Sequence, residues 1–330
     1  MRIKKKSCSQ SILNNYWIKN YLYSINFNKN KYLIVIAGPT AVGKTALSIE
    51  LARHYNSVIL SADSRQFYKE MSIGTAKPTE EQLAAIKHYF INTKSITELY
   101  GAGHFEKDAL ATLNELFKSH DVVFLVGGSG LYINAVLNGV DDFIEVPIEI
   151  REELNKKYEA NGLEWLQNEV KKLDETYFIS VDTHNPQRLI RALEVCQHTG
   201  KTYSSFLNQP KAERNFTAIK ILINTNREQL YSQINNRVDE MMASGLLEEV
   251  KQLADQKHLN ALKTVGYKEL YAYLDASYNL NTAIDKIRQH TRNYAKRQLT
   301  WFKNQDNFEE FEPTDLEKIK AYIDIILRNA

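Results

Sequence analysis

The sequence is poor in cysteine and contains no long apolar run. Its 330 residues include two cysteines, Cys8 and Cys196, which lie far apart and form no CxxC motif or Cys/His cluster with metal spacing. This excludes a disulfide framework and argues against a structural zinc site, as expected for a protein of the reducing cytoplasm. No apolar stretch approaches the ~18 residues that cross a bilayer, and the basic start lacks the continuous apolar segment of a signal peptide. We therefore expect a cytoplasmic protein without membrane contact.

Net charge is also nearly absent, because 42 basic and 40 acidic residues leave a formal charge of +2. This balance argues against a protein that binds nucleic acid by bulk charge. The charges are unevenly placed, however, since residues 1–31 hold seven basic residues and no acidic one. We expect residues 1–31 to be a disordered basic extension, or residues upstream of the true start. An arm that touches nucleic acid is the alternative.

Short apolar runs alternate with helical patterns, and this order predicts an α/β fold. Stretches of helical periodicity separate the runs, as is typical of a parallel sheet whose helices cover both faces. The runs have the continuous apolar character of buried parallel strands, and they are Tyr32–Ala37, Ser57–Ser61, Asp121–Val126 and Ala218–Asn224.

The pattern changes near Asp141. Residues 141–200 are charged and helical without a convincing strand, so we expect a helical insert within one core rather than two domains in series. The core would then comprise residues 32–140 and 201–330. Everything after Asn224 is predicted to be helical.

A phosphate-binding motif directly follows the first predicted strand. Residues 38–45 match G-x-x-x-x-G-K-[ST] in the strand–turn–helix context that this motif requires. Successive backbone N–H groups can point at one anion there, and the following helix adds the positive end of its dipole. Lys44 supplies a mobile charge, and the Thr45 hydroxyl can bind Mg²⁺. The sequence therefore predicts a diphosphate or polyphosphate site formed by Gly38, Pro39, Thr40, Ala41, Val42, Gly43, Lys44 and Thr45.

The partner acid of a typical P-loop NTPase is missing, because the run Asp121–Val126 ends in Gly-Gly-Ser rather than in a Mg²⁺-binding Asp. The only acid at the carboxyl end of a predicted strand is Asp63. Ligands of open α/β sheets bind at those ends, so Asp63 can reach a substrate opposite the phosphate loop. Its position alone leaves three roles open: a Mg²⁺ ligand, a general base, or the N-cap of a helix.

Six separate motifs follow one another between residues 32 and 305. GPTAVGKT precedes SADSRQFYKEMSIGTAKP, VGGSGLY, NPQRLIRALEV with TGK, GYKEL at 266–270 and TRNYAKRQLTWF at 291–302. In order and spacing they resemble the tRNA dimethylallyltransferases. The resemblance implies an α/β fold with a P-loop kinase-like parallel sheet flanked by helices, a helical insert domain and a helical C-terminal part.

The same resemblance implies an activity. A dimethylallyl group would pass from dimethylallyl diphosphate to N6 of adenosine 37, just 3′ of the anticodon, in tRNAs that read codons beginning with U. Mg²⁺ is the implied cofactor, the tRNA anticodon stem-loop and dimethylallyl diphosphate are the implied partners, and a monomer is the implied state. The phosphate loop would hold an isoprenoid diphosphate rather than cleave ATP, and stabilising that leaving group would be its main task. Whether ATP binds at all stays open.

The resemblance also assigns catalytic roles. Asp63 matches the family's catalytic aspartate, which as a general base orients the adenine amine and takes its proton. Ser129 matches a hydroxyl that contacts the reacting groups. Arg237 matches an arginine directed at the diphosphate, whose oxygens suit a guanidinium fork. Lys44 and Thr45, which binds Mg²⁺, complete the predicted catalytic set.

Contacts to tRNA are expected on several segments. In the basic run 286–303, which has six Lys or Arg and no acid, helical spacing brings Arg288, Arg292, Lys296 and Arg297 to about one face. The aromatic side chains of this run are expected to pack rather than to stack on bases. Where the family commonly has Asp-Pro, this chain has Asn185-Pro186, and Asn can also cap a helix. The resemblance implies further contacts at Asp63, Ser64, Arg65, Gln66, Ser129, Arg151, Gln187, Arg188, Leu189, Ile190 and Arg191.

Two other classes of protein share part of this pattern. A small-molecule or nucleotide kinase also has a phosphate loop and an arginine-bearing helical lid, but it leaves the basic run 286–303 unexplained. An ATP-switched RNA-binding module leaves Asp63 without a purpose. Transfer of a labelled dimethylallyl group to tRNA discriminates between these classes and the prenyl transferase.

Overall fold

The computed structural model describes residues 31–140, 144–207, 213–305 and 307–329. The predicted basic extension therefore lies outside the described residues, except for Lys31. The chain divides into two compact units. The first contains the described residues up to Gly101, Asp108–Ile133 and the chain from Arg214 onward, and the second contains Ala102–Lys107 and Asn134–Glu213. The expected insert, residues 141–200, lies within the longer segment of the second unit.

A parallel six-stranded sheet forms the centre of the first unit, in the order β3-β2-β4-β1-β5-β6. Every residue of β1 and β4 is buried, which explains why both are continuous apolar runs rather than alternating ones. This sheet and its flanking helices confirm the predicted α/β fold. The strands are β1 (Tyr32–Ala37), β2 (Ile59–Ser61), β3 (His88–Tyr89), β4 (Val122–Gly127), β5 (Thr217–Ile223) and β6 (Glu309–Phe311).

The prediction that everything after Asn224 is helical is wrong, because β6 pairs with β5 at the sheet edge. Its Glu-Glu-Phe sequence is mostly exposed and has no apolar run to signal a strand. The opposite edge strand, β3, was not predicted either, since it has two residues and both are half-buried. Edge strands are less buried than central strands, so they need not be apolar runs. A search for buried apolar runs therefore misses them.

The described residues of the first unit form seven helices, and two further helices contribute residues to both units. The first seven are α1 (Lys44–His54), α2 (Glu80–Ala85), α8 (Arg227–Ala243), α9 (Leu246–Gln252), α10 (Tyr267–Leu274), α11 (Leu280–Lys303) and α12 (Leu316–Arg328). The two shared helices are α3 (Ala102–Leu116) and α4 (Gly130–Asn138). Helix α12 buries Ile319 and Ile323 in the core of the sheet. No described helix is both long and apolar enough to cross a bilayer.

The described residues 144–207 of the second unit form helices joined by loops. It contains α5 (Ile148–Leu173), α6 (Glu175–Ser180) and α7 (Pro186–Thr199), and α5 is interrupted at Gly162, where φ is 76°. Helix α7 begins as expected, because the Asn185 side chain accepts the Arg188 N–H and Pro186 takes the first helical position. Asparagine therefore caps this helix in place of aspartate.

Candidate functional site

The phosphate loop connects β1 to α1 at the carboxyl end of the sheet. A Cβ at Gly38 would collide with the Ile223 carbonyl oxygen of β5, so the chain can turn there only with glycine. Thr40, Lys44 and Thr45 line a cavity that opens between the loop and the ends of β2 and β4. The predicted phosphate loop therefore lies at the start of a helix, where backbone N–H groups are available to an anion.

Lys44 lines this cavity together with Arg237 and Asp63. Its Nζ donates to the Pro39 carbonyl oxygen at 2.6 Å. Burial and the nearby Arg237 lower the pKa of Lys44 to about 7, although Asp63 acts in the opposite direction. Lys44 and Arg237 line the same cavity, so both side chains would attract an anion bound there when they are charged.

Arg237 projects from α8 into the same cavity. Burial lowers the pKa of its guanidinium, which stays charged at neutral pH. Arg237 is therefore half-buried at the cavity rather than exposed on the helix surface. Arg237, together with Lys44 when it is protonated, places positive charge beside the phosphate loop.

Asp63 follows β2 and uses its two oxygens differently. Oδ1 accepts the N–H groups of Arg65 at 2.8 Å and Gln66 at 3.3 Å, so Asp63 caps the turn that follows it. Among the described residues no hydrogen bond to Oδ2 is found. Burial raises the pKa of Asp63, while the two N–H groups and Lys44 act to lower it. A carboxylate held by one oxygen, with the other free, can cap a turn and accept a proton.

A second cavity adjoins the first. The two share six residues in their walls: Thr40, Asp63, Thr75, Ala76, Arg237 and Tyr294. Besides polar residues such as Arg65, the second cavity is lined by six apolar side chains that the first lacks: Ile234, Val238, Met241, Leu246, Val265 and Ile287. The adjoining spaces are therefore cationic at the phosphate loop and mainly apolar in the second cavity, and the Asp63 carboxylate lies in the walls of both.

Ser129 connects the loop after β4 to the loop that carries Asp63. Its Oγ accepts the Ser64 N–H at 2.9 Å. Gln66 fixes the opposite side of the site, since its Nε2 donates to the carbonyl oxygens of Thr75 at 3.2 Å and Ala76 at 3.1 Å. These two predicted site residues hold the walls around Asp63. Ser64 and Arg65, predicted to contact tRNA, line the second cavity.

The tRNA-contacting residues predicted in the second unit divide into two groups. Leu189 and Ile190 are 0% and 1% exposed and pack in the core of this unit, which corrects the expectation that their side chains touch RNA. The helix buries one face in the core of the unit and presents the other to solvent. Gln187 and Arg188 are exposed. Arg151 and Arg191 both bond the buried Glu194, and Arg191 also donates to the Ile144 carbonyl oxygen at 2.8 Å. The ion pairs fix both guanidinium groups in place.

The basic face predicted on α11 is only partly free. Arg288 pairs with Asp239 and Asp285, and Arg292 donates to the Asn235 Oδ1 at 2.8 Å. Lys296 and Arg297 are exposed. These last two residues are the ones on α11 best placed to meet a phosphate backbone. Phe302 is buried, and a Cβ at Gly130 would collide with the Trp301 indole, so both aromatic side chains pack as expected.

Three residues around the site were not predicted. Gln298 of α11 contacts both the phosphate loop and the loop after β4, and Tyr294, one turn earlier, lines both cavities. Both lie in the motif TRNYAKRQLTWF, but a glutamine within a basic run gives no sign of burial. Glu249 of α9 accepts three successive N–H groups, those of Ser72, Ile73 and Gly74, and also the Tyr267 hydroxyl. Its sequence context is an ordinary helix and carries no signal for this role.

Comparisons with known proteins agree with this architecture. The family model described as IPP transferase matches residues 66–305. The tRNA dimethylallyltransferase of Christiangramia forsetii is 54% identical over 86% of this chain and 94% of its own length. That of Flavobacterium johnsoniae is 51% identical over 89% of this chain and 97% of its own.

Two solved structures extend the comparison to the fold. The full-length tRNA isopentenylpyrophosphate transferase of Bacillus halodurans is 36% identical with a TM-score of 0.66, over 91% of this chain and 98% of its own. A eukaryotic dimethylallyltransferase acting on tRNA is 27% identical with a TM-score of 0.73, over 87% of this chain and 75% of its own. Because the family model spans most of the sequence and relatives of about half-identical sequence span nearly all of it, the chain belongs to the IPP transferase family.

Proposed function

We propose that this chain transfers a dimethylallyl group from dimethylallyl diphosphate to N6 of adenosine 37 in tRNAs that read codons beginning with U. The observation that carries the proposal is the Asp63 carboxylate, placed where a cationic cavity joins an apolar one. The names of the relatives, tRNA dimethylallyltransferases, support the same substrate pair.

The diphosphate fits the cationic end of the site. Backbone N–H groups of the phosphate loop and the start of α1 would bind its oxygens, and Lys44 and Arg237 would neutralise the charge that grows as the C–O bond breaks. The described residues contain no cluster of three or more His, Cys, Asp or Glu that could hold a metal ion. Mg²⁺ does not need such a cluster, because it binds through substrate phosphates, water and a hydroxyl such as that of Thr45. The residues at the phosphate loop therefore fit this ion. When bound, Mg²⁺ would supply further positive charge to the leaving diphosphate.

The amine of adenine is a weak nucleophile because its lone pair is delocalised into the ring. Asp63 would accept a hydrogen bond from this amine, orient it and take its proton as the N6–C1 bond forms and the C1–O bond breaks. Adenosine 37 must leave the stack of the anticodon loop to reach this carboxylate, at a cost of about a few kcal/mol. Asp63 would thus receive the proton, and the cationic end of the site would hold the leaving diphosphate.

Incubation with labelled dimethylallyl diphosphate, Mg²⁺ and total tRNA tests the proposed function. We expect label in tRNA and, after digestion, N6-(dimethylallyl)adenosine, with none transferred to an anticodon stem-loop whose adenosine 37 is replaced by guanosine. ATP added to a parallel reaction should remain intact. Absence of transfer together with ATP consumption would favour a kinase and contradict the proposal.

Neutralising the exposed cations of α11 is expected to weaken tRNA binding through phosphate contacts. The double variant Lys296→Gln/Arg297→Gln should lower the steepness of log K against log salt by about 2. A matched control, Lys318→Gln/Arg328→Gln, removes two exposed cations from α12 and should leave tRNA affinity unchanged. Filter binding over a salt series measures both, and equal slopes in the two variants would exclude α11 from the interface.

A further inference from the structure

One buried amide of α11 joins the loops that follow β1 and β4. The Oε1 of Gln298 accepts the Thr40 N–H at 2.9 Å, and its Nε2 donates to the Gly128 carbonyl oxygen at 2.8 Å. The side chain belongs to a residue that is 7% exposed. An amide with an acceptor at one end and a donor at the other matches these two backbone groups, and neither a carboxylate nor an aliphatic chain does.

The surroundings of this amide are shaped to hold it. A Cβ at Gly128 would collide with the Gln298 Nε2, so glycine leaves the room that the amide occupies. One turn earlier Tyr294 lines both cavities, and almost one turn later Trp301 packs against Gly130. Gln298 and Trp301 therefore both contact the loop after β4, and Gln298 also bonds the phosphate loop.

The Thr40 end of the bridge lies at a strained point of the phosphate loop. Thr40 lines both cavities, and the next residue, Ala41, has φ 68°, a left-handed conformation that is unfavourable for a residue with a Cβ. A loop held in such a conformation before its ligand arrives binds the ligand with less loss of entropy. The hydrogen bond from Thr40 to Gln298 supplies an external anchor at this point.

We propose that Gln298 is a positioning residue for the diphosphate, which acts by anchoring Thr40 and Gly128 so that the phosphate loop keeps its anion-binding shape. The proposal rests on the proposed function for the identity of the diphosphate substrate. Its first consequence is that loss of the bridge weakens binding of the diphosphate. A second is that tRNA binding, for which the exposed Lys296 and Arg297 of α11 are proposed, is spared.

The first test replaces Gln298 with Met, which has the same length and makes neither hydrogen bond. We expect affinity for inorganic pyrophosphate with Mg²⁺, measured by calorimetry, to fall by about 10- to 100-fold, because two buried polar groups lose their partner. The KM for dimethylallyl diphosphate should rise in parallel, with tRNA affinity unchanged. Gln252→Met, at an exposed position of α9, is the matched control and should behave as wild type. Unchanged pyrophosphate affinity in folded Gln298→Met would overturn the proposal.

The second test uses Gln298→Glu, which keeps the acceptor and, when ionised, lacks the donor. Protonation of the new carboxyl restores an O–H donor toward the Gly128 carbonyl oxygen, so the ratio of variant to wild-type pyrophosphate affinity should rise toward one as the pH falls. Lys44, Asp63 and Arg237 line the same cavity in both proteins, and their own ionisation largely cancels in the ratio. A ratio that does not change with pH would indicate a merely structural role and contradict the proposal.

These readouts separate the positioning role from the proposed function. Pyrophosphate binding tests Gln298 even in a protein that transfers nothing to tRNA. Wild-type protein that binds pyrophosphate but transfers no dimethylallyl group would disprove the proposed function alone. Wild-type transfer with variants that match it in KM and pyrophosphate affinity would disprove the role of Gln298 alone.

Discussion

Replacing Asp63 with Asn is expected to slow dimethylallyl transfer by about 10²–10⁴-fold, the usual contribution of a general base. Asn has the same size and keeps one carbonyl oxygen, so it can still accept the N–H groups of Arg65 and Gln66 that the Asp63 Oδ1 accepts. It loses the ionisable oxygen that takes the proton of N6. Single-turnover transfer at saturating dimethylallyl diphosphate measures the effect on the chemical step.

The pH profile provides an independent check on Asp63. A protonated carboxyl cannot accept the proton of the amine, so the rate falls as the pH drops through the pKa of this group. Burial raises the pKa of Asp63, and the acid limb should therefore lie above the range of an exposed aspartate. Asp63→Asn should lack this limb and retain tRNA affinity, whereas Asp63→Ala also removes the turn hydrogen bonds. Equal losses of tRNA affinity and rate in the Asn variant would favour positioning over proton transfer.

Replacing Lys44 with Met is expected to weaken pyrophosphate binding by about 10- to 150-fold, the effect of losing a hydrogen bond from a charged group. Met is similar in length and removes only the charge and the donor. Isothermal calorimetry with inorganic pyrophosphate and Mg²⁺ measures the change, and a steady-state KM for dimethylallyl diphosphate should follow it. An affinity equal to that of wild type would remove Lys44 from the diphosphate site.

The pH dependence of pyrophosphate binding reports the protonation state of Lys44. Burial and Arg237 lower the pKa of Lys44 to about 7 in the free protein, so a rising fraction is neutral above that pH. Only the protonated form attracts the diphosphate, and wild-type affinity should therefore fall as the pH rises through 7. Pyrophosphate ionises identically in both experiments, so the ratio of wild-type to Lys44→Met affinity reports Lys44. A ratio that is constant between pH 6 and 9 would contradict the assignment.

Local sequence patterns were sufficient for the interior of the fold and for the phosphate loop. Strands β1 and β4 are continuous apolar runs because both of their faces are covered. The phosphate loop was predictable because its residues are contiguous and its geometry depends on glycines at fixed spacing. Asp63 could be found because it follows a buried strand, at the carboxyl end of the sheet, where ligands bind.

What escaped prediction depends on residues that are distant in sequence. Gln298 and Thr40 are 258 residues apart, so no local pattern can indicate that they bond. Helical spacing placed Arg288 and Arg292 on a cationic face but could not show that α8 presents Asp239 and Asn235 to them. The same limit applies to Leu189 and Ile190, whose contacts with the core of the second unit are not encoded in the motif around them.

The carboxylate of Glu249 has a consequence for the order in which the protein folds. It holds the N–H groups of residues 72–74, and Glu249 lies 177 residues beyond Ser72 in the chain. The neighbouring Thr75 and Ala76 form part of the wall of both cavities. A ribosome makes the phosphate loop and Asp63 early, but this wall gains its anchor only after α9 has emerged. The nascent chain therefore carries the chemical groups long before it carries the pocket, and closing so long a loop favours a late step in folding.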